Sequence, residues 1–124
     1  MQLRAVPASV RSARVFVTES LAAFPPETVD RVVLMVSELA TNSVVHAGTD
    51  FTITLTVTGE VIRLEVADDG AGLPRLQSPG PTDPHGRGLR IVNQLATDWG
   101  SEEATGTDGK FTWFQLHVPD VPTA

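Results

Sequence analysis

The chain has 124 residues, enough for one compact domain with its own core and too few for two. With 41% hydrophobic and 19% charged residues, no apolar run near the roughly 20 residues of a membrane-crossing helix and no cysteine, it excludes a disordered tract, a transmembrane span, disulfides, thiol catalysis and Cys-ligated zinc. Nine Lys+Arg against fifteen Asp+Glu leave a formal charge of −6, a field that repels nucleic-acid backbones, so neither nucleic acid nor a membrane is an expected partner.

The start, Met1-Gln2-Leu3-Arg4, lacks the apolar block of a secretion signal, and a cytoplasmic location is the expectation. Residues 1–7 read as an extended lead-in, with Pro7 and Ser9 supplying helix-start chemistry. Val10, Ala13, Val17, Leu21 and Phe24 recur at helical spacing, so a helix is expected from Val10 to Phe24, where Pro25-Pro26 stops it and opens the next. A longer helix is expected from Glu27 to Ala47, with Val29, Val33, Val36, Ala40 and Val44 as its apolar stripe and Gly48 as the residue that ends it.

The period then changes from helical to alternating. Phe51, Ile53, Leu55 and Val57 alternate with four threonines, and Gly59-Glu60 sits where a hairpin turn belongs. Ile62, Leu64 and Val66 alternate with Arg63, Glu65 and Ala67 in the return strand. Residues 73–85 hold four prolines and a glycine, the composition of a long lid loop. Gly86-Arg87-Gly88 closes that loop and starts a third helix, with Leu89, Val92, Leu95 and Ala96 facing inward. A strand is expected from Trp99, a hairpin at Asp108-Gly109, and a last strand over Phe111–Leu116. Hairpins with one apolar face need a cover, and three amphipathic helices can provide it. The expected fold is therefore α+β, a two-layer α/β sandwich with three helices packed on one face of a mostly antiparallel mixed sheet. No repeat or interior linker divides the chain, so residues 1–124 read as one domain.

Three short motifs carry the chemistry. Glu38 and Asn42 lie four apart on the long helix, about 40° around its axis, so a carboxylate and an amide project together. That pair suits an oxygen-liganded cation and a proton transfer, although taken alone it reads better as a solvated helix face. Asp68-Asp69-Gly70-Ala71-Gly72 follows a strand: glycines admit a ligand close to the backbone, and a carboxylate accepts a hydrogen bond from an exocyclic amine. A plain turn explains it equally well, and turn chemistry is the main role expected of Asp69. Gly86-Arg87-Gly88-Leu89 opens a helix, where unpaired amides, the helix dipole and Arg87 suit an anion; flexible glycines rejoining a loop are the alternative.

In this order, the three motifs resemble those of the GHKL (Bergerat-fold) ATPase family, which includes histidine-kinase catalytic domains and DNA gyrase. Glu38-x-x-x-Asn42 looks like its N box, Asp68-x-Gly70-x-Gly72 like its G1 box and Gly86-x-Gly88-Leu89 like its G2 box. Gly109-Lys110-Phe111-Thr112-Trp113-Phe114 looks like its closing strand. The match is nearest to the bacterial anti-sigma-factor serine/threonine kinases, on the strength of Glu38, the Asn42-x-x-x-His46-Ala47 continuation and a chain with little besides this domain. The resemblance covers about residues 3 to 118.

It implies ATP and Mg²⁺ as cofactors, with Asp68 on the adenine amine and Thr112 behind it. Asn42 would hold the Mg²⁺, which bridges the phosphates of ATP. Gly70 and Gly72 would lie beside the nucleotide, and Gly86, Arg87, Gly88 and Leu89 at the phosphates under the lid. Glu38 would be the catalytic base that takes the proton of a substrate hydroxyl. It further implies an anti-anti-sigma protein as phosphorylated partner, a sigma factor as sequestered partner, and the homodimer usual in that branch. Two alternatives stay open: a nucleotide-gated protein-binding module with little or no kinase activity, and the detached catalytic half of a histidine kinase. His46 reads as a helix-end residue rather than a phosphoacceptor, and His85 as a surface lid residue. Trp99 and Trp113 read as packing residues, and Arg11 and Arg14 as solvated or partner-facing.

Overall fold

The computed structural model describes residues 1–68, 84–103 and 110–119. In chain order, the elements are β1 (Gln2–Leu3), α1 (Ala8–Ser20), α2 (Pro26–Asn42), a π-helical turn (Ser43–Ala47), β2 (Phe51–Thr58), β3 (Val61–Asp68), α3 (Pro84–Leu95), β4 (Asp98–Glu103) and β5 (Lys110–His117). The strands form one sheet in the order β1-β2-β3-β5-β4. Every pairing in it is antiparallel, so the mixed component of the expected sheet is absent among the described residues.

The β2–β3 hairpin forms where alternation and turn chemistry place it. Thr58 pairs with Val61 across Gly59-Glu60. Gly59 has φ 57°, and only this first loop residue is left-handed, as a II′ hairpin turn requires. One face of the sheet is dry: Phe51, Ile53, Ile62, Leu64, Val66, Phe114 and Leu116 are buried on it. Ala13 and Val17 of α1, Val32, Met35, Val36, Leu39 and Ala40 of α2, and Val92 of α3 are buried in the same core cluster. Helix α2 packs against both α1 and α3 and so forms the centre of the helical layer. The three-helix, one-sheet sandwich expected from the sequence is the observed architecture.

Several boundaries differ from expectation, each for a local reason. The lead-in is part of the sheet: Gln2 and Leu3 pair with Thr52 and Phe51, and the Ile53 N–H donates to the Met1 carbonyl at 2.8 Å. Two residues are too few to show alternation, so only the tertiary partner reveals the strand. Helix α1 starts at Ala8 and stops at Ser20, and the buried Leu21 continues its stripe from a turn in which Phe24 N–H donates to the Leu21 carbonyl. The long helix loses its α-helical period at Asn42. Helix α3 begins at Pro84, two residues before Gly86, because proline suits a first helical turn.

Candidate active site

Helix α2 supplies the first part of the site. Pro26 at its start needs no N–H partner, and Val32, Met35, Val36, Leu39 and Ala40 turn one face into the core. Glu38 and Asn42 project from the flank of that face, both half-buried. Burial raises the Glu38 carboxyl above its ordinary range by disfavouring the charged form, and the positive charge of Arg14 on α1 partly offsets this. Arg14 is tied to α2 directly: its Nε donates to Ser37 Oγ at 2.7 Å, and that hydroxyl donates to the Val33 carbonyl at 2.6 Å. Arg14 is therefore a helix-to-helix link beside Glu38 and not merely a solvated arginine.

After Asn42 the helix widens. The Gly48 N–H donates to the Ser43 carbonyl at 3.2 Å, a five-residue step, and Gly48 ends the turn at φ 66°. Such π-helical turns often accompany functional sites, and a left-handed glycine is the usual helix terminator. Ser43 continues the inward stripe of Val36 and Ala40 and is buried. Its Oγ donates to Asp68 Oδ2 at 3.1 Å.

Asp68 closes the inward row Ile62, Leu64, Val66 and Asp68 on β3, and it is only 8% exposed. A carboxylate in an apolar row is costly unless hydrogen-bonded, and Ser43 is among its partners. Thr112 of β5 pairs across from Val66 and is buried on the same face, diagonal to Asp68. Its Oγ1 shares a hydrogen bond of 3.2 Å with Ser101 Oγ of β4.

The Ser43–Asp68 hydrogen bond brings Asp68, with Thr112 diagonal to it on the sheet, to the C-terminal end of α2, the helix whose last turns carry Glu38 and Asn42. The backbone of Gly86, Arg87, Gly88 and Leu89 lies in α3, which packs beside α2. The helix starts two residues before Gly86, so Gly86 stays among the first-turn N–H groups while Gly88 lies beyond them. The side chains of His46, His85, Arg87 and Leu89 lie outside the described residues, as do Asp69, Gly70, Gly72 and residues 73–83 of the expected lid. Both tryptophans pack as expected: Trp99 joins the core and its Nε1 donates to Asn93 Oδ1 at 2.9 Å, while Trp113 lies under Arg63, 4.5 Å from guanidinium carbon to ring centre.

Sequence reasoning missed Ser43, Ser101 and the role of Arg14. Ser43 had a visible signal, a polar residue at an inward position next to Asn42. Ser101 and Arg14 had none, because their partners are 11 and 23 residues away.

An antiparallel sheet covered on one face by three helices is the GHKL ATPase architecture. The chain belongs to the histidine kinase-like ATPase domain family, which it matches over residues 3–115. It is 34% identical over 101 residues to blue-light-activated histidine kinase 2 of Erythrobacter litoralis, covering 77% of this chain and 29% of that protein. It therefore spans less than a third of that relative's length. The solved histidine kinase domain of the Erythrobacter litoralis EL346 blue-light activated histidine kinase matches with a TM-score of 0.57 and 28% identity, over 76% of this chain and 46% of that one. The Acinetobacter baumannii histidine kinase AdeS shares the fold at a TM-score of 0.56 and 9% identity, over 97% of this chain and 68% of that one. No helix among the described residues is long and apolar enough to cross a membrane.

Proposed function

We propose that the chain binds ATP with Mg²⁺ at the end of α2 and passes the γ-phosphate to a serine or threonine of an anti-anti-sigma protein. In this reading, the same chain sequesters a sigma factor when that antagonist is phosphorylated. Family membership supports ATP binding and a regulatory kinase role. The observation that carries the chemistry further is Glu38, a half-buried carboxylate one helical turn before Asn42 whose proton affinity burial has increased.

The donor set fits the cofactor pair. Among the described residues no group of three or more His, Cys, Asp or Glu could hold a metal by itself. Mg²⁺ retains water and phosphate ligands and needs few protein oxygens, and one amide oxygen from Asn42 fits that habit. Bound there, the ion would neutralise phosphate charge. Asp68 accepts a hydrogen bond from the adenine amine within a largely dry sheet face, and Thr112 lines the same face. Glu38 holds the acceptor hydroxyl and takes its proton as the new ester forms, a role favoured by a carboxyl whose pKa lies above the usual carboxylate range. Positioning and charge neutralisation are most of what phosphoryl transfer asks of a protein.

A second reading is favoured by the names of the relatives, which are histidine kinases. In it, the chain supplies the ATP-binding part of a larger phosphotransfer system whose acceptor is a histidine. Incubation with γ-labelled ATP and a co-purifying partner separates the two. Label on the partner that survives acid supports the hydroxyl acceptor, acid-labile label supports histidine, and stoichiometric ATP binding with no labelled protein supports a nucleotide-gated binding module.

A further inference from the structure

The buried pair Ser43–Asp68 joins two elements that the three motifs treat separately, the end of the central helix and the end of β3. Both residues are nearly sealed from solvent, Ser43 at 4% and Asp68 at 8% exposure, and their hydrogen bond spans 25 residues of chain. Ser43 is also fixed through its backbone. Its N–H donates to the carbonyls of Leu39 and Ala40, and its carbonyl accepts the N–H of Gly48. The backbone that carries the hydroxyl is thus held at both of its polar groups.

We propose that Ser43 is the positioning residue for base selectivity, holding the Asp68 carboxylate as a hydrogen-bond acceptor so that a purine carrying a 6-amino group is preferred over one carrying a 6-carbonyl. The inference rests on the nucleotide site proposed above. A serine hydroxyl has one proton, and here it donates to Asp68 Oδ2, which engages that oxygen as an acceptor and helps hold the carboxylate in place. A carboxylate oxygen, an acceptor, matches an exocyclic amine, which donates. Set against a carbonyl oxygen it brings two acceptors together. Without the hydroxyl, Oδ2 loses the donor that helps fix its direction, and the carboxylate is held less firmly against the amine.

The experiment measures binding of Mg-ATP and Mg-ITP by calorimetry to wild type, Ser43→Ala and Ser43→Cys. Inosine triphosphate differs at the critical position by carrying oxygen in place of the amine. Cysteine nearly matches serine in size but donates weakly, so it tests the hydrogen bond without opening a cavity. The expected result is a loss of about tenfold in ATP affinity in both variants with ITP affinity unchanged, so that the ATP:ITP preference falls by about the same factor. Equal loss for both nucleotides, or no loss for either, would overturn the assignment and leave Ser43 a structural residue. Wild type that binds neither nucleotide would instead refute the proposed site itself, and this inference with it.

Discussion

Replacing Asp68 with asparagine changes one oxygen for an amide nitrogen and almost nothing else in volume, so it isolates the acceptor chemistry of the position. The Ser43 hydroxyl donates to Oδ2 at 3.1 Å and will keep an oxygen opposite it. That preference turns the new amide group to the other side of the side chain, where it presents a donor. In the proposed complex this sets a donor against the donating adenine amine. A hydrogen bond to a charged acceptor contributes about 2 kcal/mol, and its replacement by a mismatched pair should weaken ATP binding roughly thirtyfold. Titration calorimetry reads the affinity. Thermal melting without nucleotide provides the folding control, since it reads any loss of stability apart from the nucleotide. Stabilisation by added Mg-ATP should shrink in parallel with the affinity. An Asp68→Asn protein that binds ATP as tightly as wild type would refute the placement of adenine at β3.

Glu38→Gln should retain ATP binding and lose phosphoryl transfer, measured as labelled partner formed per minute. Its stability has a definite sign. A carboxyl raised by burial gives a folding contribution that is fully present below the unfolded-state pKa and lost as pH rises through the raised native value. At neutral pH, ionised Glu38 therefore costs stability, and glutamine should melt at the same temperature or higher; a lower melting temperature would contradict the burial argument. Arg14→Gln removes the charge that partly restores ionisation of Glu38, so the acid limb of the transfer rate should move to higher pH, and an unmoved limb would separate Arg14 from the base. Gly48→Ala tests the end of the π-helical turn: a Cβ there meets nothing within 4 Å, so only the left-handed backbone resists it. Urea unfolding should show a loss of about 1 kcal/mol, and no loss would mean the turn tolerates another conformation.

What the sequence made legible was the part of the fold written in local period. Thr52, Thr54, Thr56 and Thr58 alternate with apolar residues so regularly that the hairpin could be placed to the residue, and Gly59 takes the left-handed conformation its turn needs. The candidate site was legible because its motifs combine residue type with helical or turn geometry: Glu38 and Asn42 share a helix face, and Asp68 stands where an inward apolar residue would otherwise follow Val66. What stayed hidden was set by tertiary contact. Gln2 and Leu3 become a strand only because β2 offers an edge. Ser43 marks itself only as a polar residue at an inward position, its partner Asp68 being supplied by β3, and Arg14 reads as a surface cation until α2 presents Ser37. The change from α-helical to π-helical period after Asn42 has no marker in residue type, since Ser43 to Ala47 would also suit an α-helix.

The central claim is that Glu38, Asn42, Asp68 and Thr112 surround one magnesium-bound nucleotide. A crystal structure of the chain with Mg²⁺ and a non-hydrolysable ATP analogue tests it most directly. The account predicts the adenine amine within hydrogen-bond distance of the Asp68 carboxylate, the Asn42 amide oxygen on the ion, and Glu38 facing the terminal phosphate. A nucleotide bound elsewhere, or packed side chains filling the space between α2 and the end of β3, would contradict it.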